Sequence, residues 1–216
     1  MKRILCYGDS NTWGHNPDPV AGDLRYADEV RWTGVLQKLL KDKVTIIEEG
    51  LCGRTIMFDD PLSPNRNGSK FLNCMIQSQQ PLDMIIFMLG TNDVRHIFTP
   101  STKEIAIGMQ NMVKMAQNPS IYWVGKVPEI LVIAPVPVRE EIAQSEFYGQ
   151  YDEKSVRKSR ELAKEYQSIF ADMPGVQLLD AGKVAEVSVT DCIHLSRKGH
   201  ENLARVVKEM VEKILF

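Results

Sequence analysis

Five short apolar runs, each stopped by glycine, proline or an acidic residue, alternate with longer stretches whose apolar residues recur at helical spacing. The first run, within K-R-I-L-C-Y, halts at Gly8, Asp9 and Ser10. It predicts a buried strand that ends in a sharp turn. Val44–Ile47 (V-T-I-I) predicts a second strand, Asp83–Leu89 (D-M-I-I-F-M-L) a third, Ile130–Ala134 a fourth stopped by Pro135 and Pro137, and Val176–Leu179 a fifth. The third run is the most apolar, which places it at the centre of a sheet. Between the runs, Leu36, Leu39 and Leu40 mark a helix over Trp32–Leu40, and a second helix is expected from about 69 to 79. Ile105, Met109, Met112, Val113 and Ala116 form a stripe behind a Ser101/Glu104 capping box. A long helix is expected over Ser155–Met173, and Ser196 caps a last one carrying Leu203, Val206, Val207, Met210 and Ile214. The repeated strand-loop-helix order predicts an α/β class with a parallel sheet and helices on both faces.

Composition narrows this picture. No linker or composition shift divides residues 1–216, so one domain is expected. The charge balance, 26 basic against 28 acidic residues, argues against a nucleic-acid groove, which needs a clustered basic face. The start, M-K-R-I-L-C-Y-G-D-S, has basic residues before an apolar run. That run is too short for a secretory leader and meets Asp9 at once, so it reads as a strand. No stretch is long enough to span a membrane. Cys6, Cys52, Cys74 and Cys192 are scattered without a C-x-x-C pair, and free thiols in a cytoplasmic protein are expected.

Four of the five strands end in motif-like loops, after Tyr7, Ile47, Leu89 and Leu179. In a parallel sheet those ends share one side, where α/β proteins build their sites. Ser10 lies at the first end. A serine hydroxyl needs a base to become a nucleophile, and the base needs a partner that sets its tautomer. Of the four histidines, His194 has Asp191 three residues before it, in D-C-I-H. That spacing lets the carboxylate fold back onto Nδ1 and leaves Nε2 free, although D-x-x-H alone fits an aspartate capping a turn just as well. An attacked ester also builds charge on its carbonyl oxygen, which needs preorganised donors. Gly53 in G-L-C-G-R-T and Asn92 in G-T-N-D lie just after predicted strands and offer them, while each alone also fits an ordinary turn residue.

Gly8-Asp9-Ser10, Gly53, Gly90-Thr91-Asn92-Asp93 and Asp191-x-x-His194, in that order, resemble the four blocks of the SGNH hydrolases, or GDSL-type esterases. The strings G-D-S-N-T-W-G, R-W-T-G-V-L, E-E-G-L-C-G-R-T and M-L-G-T-N-D resemble the short-chain arylesterase and acyltransferase branch. The resemblance implies a flavodoxin-like three-layer α/β/α sandwich with a five-stranded parallel sheet. It implies Ser10 as nucleophile, His194 as base and Asp191 as its orienting carboxylate. It also implies an oxyanion hole from the Ser10 and Gly53 amides with the Asn92 side chain. Asn11 stands where the name-giving tetrapeptide has Leu, a position outside these roles. The expected activity is hydrolysis of short-chain acyl or aryl esters through an acyl-enzyme, rising as His194 loses its proton, with transesterification where the acyl pocket is dry. Carbohydrate acetyl-ester hydrolysis is the alternative within enzymes, and a flavodoxin-like ligand-binding module the alternative outside them.

Trp13 and Ile193, each within three residues of a proposed catalytic residue, are candidate pocket walls. No cofactor and no metal are expected: His15, His96 and Asp93 lie in different loops without ligand spacing and read as solvated, and the first loop lacks a Walker lysine. The expected partner is a small-molecule ester, without nucleic acid or membrane. The resemblance also implies a homo-oligomer, with 135–151 as the candidate interface. The polar segment 139–151 itself is expected to pass over the site.

Overall fold

A computed structural model describes residues 1–19 and 22–216. Val20 and Ala21, in the Pro- and Gly-containing polar segment Gly14–Gly22 that reads as a loop, lie outside the described residues. The strands are β1 (Lys2–Gly8), β2 (Val44–Gly50), β3 (Met84–Met88), β4 (Glu129–Ala134) and β5 (Val176–Asp180). The α-helices are α1 (Ser10–Trp13), α2 (Trp32–Leu40), α3 (Gly68–Gln79), α4 (Thr102–Ala116), α5 (Glu153–Phe170) and α6 (Arg197–Leu215). All pairings are parallel, in the order β2-β1-β3-β4-β5, which is the flavodoxin-like arrangement. The most apolar run, β3, is the central strand, and all its residues are buried.

Alternation along the strands makes the three layers. Leu5, Tyr7, Ile85 and Phe87 point to one face, where α3, α4 and α5 cover them with Leu72, Met109 and Leu162. Ile4, Cys6, Met84 and Ile86 point to the other, against Trp32 and Leu36 of α2 and Leu203 and Val207 of α6. Each large apolar side chain buried in this way contributes about 1.5–3 kcal/mol. Leu39, expected on the inner stripe of α2, is instead partly exposed, because Trp32, Leu36 and Leu40 already face the sheet.

Two boundaries differ from the apolar pattern for identifiable reasons. β2 continues through Glu48 and Glu49. It is an edge strand, and Glu48 is matched by Arg31, with Nη2 to Oε2 at 2.7 Å, and by the Thr33 hydroxyl. α5 begins before Ser155 because Asp152 caps it, its Oδ1 accepting from the Ser155 amide at 2.9 Å. The Ser101/Glu104 capping box is present on α4. Among the described residues, all four cysteines are free and no helix is long and apolar enough to cross a membrane.

Candidate active site

Ser10 follows β1 with only Asp9 between. Gly8 makes that turn feasible: a Cβ there would lie 2.1 Å from Thr12 Oγ1, so only glycine lets α1 fold back this tightly onto the strand end. Asp9 caps α1, accepting from the Asn11 amide at 2.9 Å. Ser10 is the first residue of α1, and its amide N–H has no backbone or side-chain acceptor among the described residues.

The Asp191–His194 loop meets Ser10 from the far end of the chain. Asp191 Oδ1 accepts from the amides of Ile193 and His194, both at 3.0 Å. Its Oδ2 accepts from His194 Nδ1–H at 2.6 Å. That proton sets the tautomer, so Nε2 is the acceptor for the Ser10 hydroxyl at 2.8 Å. Burial alone would raise the Asp191 carboxyl. The His194 hydrogen bond and charge, with the two amides, outweigh it and hold Asp191 below the ordinary carboxylate value.

Asn11 joins the two loops. Its Oδ1 accepts from the Leu195 amide at 2.8 Å, and its Nδ2 donates to the Ile193 carbonyl at 3.3 Å, so the side chain brackets His194. The 139–151 excursion braces the same loop from outside: Ser145 Oγ donates to the Asp191 carbonyl at 2.8 Å, and the Arg139 amide to the Cys192 carbonyl at 3.0 Å.

Asn92 and Gly53 reach the same place from β3 and β2. The Asn92 amide is oriented by three partners. Nδ2 donates to the Arg54 carbonyl at 3.0 Å and, at a long 3.5 Å, to Asp9 Oδ2, and Oδ1 accepts from the Tyr151 hydroxyl at 3.2 Å. An –NH2 group has two protons, and the one on the long Asp9 contact is the one a ligand oxygen can take over. Gly53 has φ +80°, the left-handed turn glycine tolerates, and its amide N–H also lacks an acceptor among the described residues. Arg54 ties these elements together. Its guanidinium lies 4.0 Å from the Tyr7 ring centroid and donates to the Gly8 and Glu49 carbonyls.

These residues surround a cavity of about 290 Å³. Ser10, His194, Asn92 and Gly53 line its reactive side; Phe147, Gln150, Tyr151 and Ile193 form one wall, and Asp60, Ser63, Arg66 and Arg95 another. The arrangement can take a proton from a hydroxyl as it attacks a carbonyl and present N–H donors to the oxygen that gains charge. A roomier cleft of about 550 Å³ between Glu140 and α5 carries carboxylates and arginines but no nucleophile beside a base.

Ile193 therefore stands at the cavity, and Trp13 does not line it: the Trp13 ring lies under the Arg25 guanidinium, 5.1 Å from its centre, with Arg25 Nε donating to the Trp13 carbonyl. His15 is no solvated loop residue. The turn closing α1, with the His15 amide donating to the Ser10 carbonyl at 2.9 Å, brings its half-buried ring over His194, centroids 4.0 Å apart. Burial and the neighbouring His194 charge push His15 down to about 4, so it is neutral near pH 7. His96 is exposed and pairs with Asp152, far from such a cluster. The ligand atoms of His15, Asp191 and His194 do lie within 4.8 Å of one another. Both His194 nitrogens are already engaged by Asp191 and Ser10, so this donor set is organised for a proton rather than an ion.

Asp93 is fully buried beneath Asn92. Its Oδ1 accepts from the Ile56 amide at 2.9 Å, and Oδ2 has no partner among the described residues. Burial, against the Ile56 hydrogen bond and with the Asp9 charge, pushes it up to about 7. A folded value above the unfolded one gives stability that is complete below the unfolded pKa and is lost as pH rises through about 7. Asp93→Asn keeps the acceptor for Ile56 and removes the titration. Urea unfolding should therefore show the variant gaining on the native chain, by about 2–3 kcal/mol, between pH 5 and pH 8. A difference that does not change with pH would contradict this.

A family model described as the GDSL-like lipase/acylhydrolase family matches residues 6–201. Among solved structures, an aryl esterase from M. smegmatis is 35% identical, with both chains covered 100% and a TM-score of 0.91. A carbohydrate acetylesterase from Sinorhizobium meliloti is also 35% identical over 100% of both chains, with a TM-score of 0.92. No curated protein matches the chain.

Proposed function

The chain belongs to the GDSL-like lipase/acylhydrolase family and is a carboxylic ester hydrolase, and from that premise we propose that it cleaves short-chain acyl esters by a serine mechanism. One observation carries the reading: the unbroken hydrogen-bond chain from Ser10 Oγ through His194 to Asp191, at 2.8 and 2.6 Å. Ser10 attacks the ester carbonyl as His194 Nε2 takes its proton. The carbonyl oxygen becomes an oxyanion held by the Ser10 and Gly53 amides and by the Asn92 Nδ2–H that gives up its long contact to Asp9. His194 then protonates the leaving alcohol, and the bond to it breaks, leaving an acyl-Ser10. Water, deprotonated by the same nitrogen, releases the acid. Asp191 stays ionised and stabilises the imidazolium in both steps. Residues 1–216 act as one catalytic unit in this reading.

Aryl acetates and acetylated sugars are both within the chemistry. The cavity favours the sugar as a second reading, because Asp60, Ser63, Arg95 and Gln150 offer hydrogen bonds that hydroxyl groups can use. The same polar lining retains water, which favours hydrolysis over acyl transfer to an alcohol. Rates on an aryl acetate and an acetylated sugar, each divided by its alkaline hydrolysis rate, test the choice. A larger ratio for the sugar supports the second reading, a larger ratio for the aryl ester the first. No turnover of either would remove the proposal.

A further inference from the structure

Two guanidinium groups line the cavity over Ser10, and their charges are unequally matched. Arg95 is 8% exposed, and its Nη1 donates to Asp60 Oδ2 at 2.5 Å. Asp60 is held below the ordinary carboxylate value despite its burial, by the Leu62 amide and by Arg95, so its charge belongs to that pair. Arg66 is half-buried and donates through Nη1 to the Pro64 carbonyl at 3.0 Å, a neutral partner. Among the described residues no carboxylate lies within 4.0 Å of it, whereas Arg95 has Asp60. The Arg66 stem runs past the proposed oxyanion loop, with Cδ and Nε 3.4 Å from where a Gly53 Cβ would stand. Its charge is felt at Cys52 and Arg54, on either side of Gly53.

A cavity lined by one unmatched guanidinium is complementary to an anion. A guanidinium meets a carboxylate in a planar fork that no hydroxyl group reproduces. We propose that the Ser10 cavity selects esters that carry a carboxylate, with the Arg66 guanidinium as its counter-ion. The inference rests on the ester-hydrolase mechanism proposed above and names the substrate class for it: acylated acidic sugars and hydroxy acids, or half-esters of short dicarboxylic acids.

Two matched ester pairs test it. In the first, 4-acetoxybenzoate is compared with methyl 4-acetoxybenzoate, so the charge is on the alcohol side. In the second, 4-nitrophenyl hydrogen adipate is compared with its methyl ester, so the charge is on the acyl side. Each rate is divided by the alkaline hydrolysis rate. The expected result is a preference of tenfold or more in kcat/KM for the charged member of at least one pair. That preference should fall as ionic strength rises from about 0.05 to 0.5 M, since screening shortens the reach of a partly exposed charge. Arg66→Gln should bring the ratio close to one, and Arg66→Lys should keep part of it. Ratios near one in the native chain overturn the inference and leave ester hydrolysis standing. A preference that Arg66→Gln leaves unchanged overturns the assignment to Arg66. No turnover of any of the four esters removes the hydrolase mechanism, and this inference with it.

Discussion

Ser10→Ala is expected to fold normally and to lose ester hydrolysis by about a millionfold in kcat. The fold should survive because the cap of α1 is the Asp9 side chain and not the serine, and the Ser10 hydroxyl makes its one side-chain hydrogen bond to His194 Nε2. The catalytic loss is large because proposed base and orienting carboxylate act only through that oxygen. What remains is the rate that binding and oxyanion donors give to water alone, typically 10³–10⁴ over the uncatalysed reaction. Steady-state hydrolysis of an aryl acetate, beside a thermal melt of the variant, measures both halves of the statement. A folded variant retaining more than about one per cent of kcat would contradict the assignment of Ser10.

Asp191→Asn should cost about 10⁴ in kcat while leaving the loop in place. The native Oδ1 accepts two amides, Ile193 and His194, and an asparagine oxygen can do the same. Its –NH2 group then faces His194 Nδ1, where the native carboxylate accepts a proton. A donor there forces the imidazole proton onto Nε2, so the nitrogen facing Ser10 can no longer accept. The imidazolium of the transition state also loses its buried counter-charge, since Asp191 is 1% exposed. The effect should fall on kcat far more than on KM, because ground-state binding does not need the tautomer. Activity within tenfold of the native chain would mean that Asp191 has no orienting role.

The strand ends were legible because their chemistry is local. Ser10 and Asn92 sit within a few residues of an apolar run, and Asp191 and His194 are three apart, so spacing made them candidates and the order of the four blocks, by resemblance, singled them out. The sheet was legible too, since β3 is apolar on both faces and must be central. Residues that matter only after the ends converge were not visible. Arg54 is an ordinary basic residue until its carbonyl meets Asn92 and its guanidinium meets the end of β1. Tyr151 orients Asn92 across 59 positions, and Asn11 holds the Ile193–Leu195 backbone across more than 180. His15 carried a polar loop signature and became a ring tilted against that of His194 through the turn of α1. Trp13 has the opposite history: its proximity to Ser10 in sequence made it a wall candidate, and its ring packs under the Arg25 guanidinium outside the cavity lining.

The direct test of the account is covalent. A serine-directed organophosphonate forms a stable bond to a nucleophilic hydroxyl beside a base and an oxyanion hole, and peptide mass mapping locates the adduct. The account predicts one adduct per chain, on Ser10, absent from Ser10→Ala and formed far more slowly in Asp191→Asn. An adduct on another residue, or a native chain that hydrolyses esters while remaining unlabelled at Ser10, would contradict it.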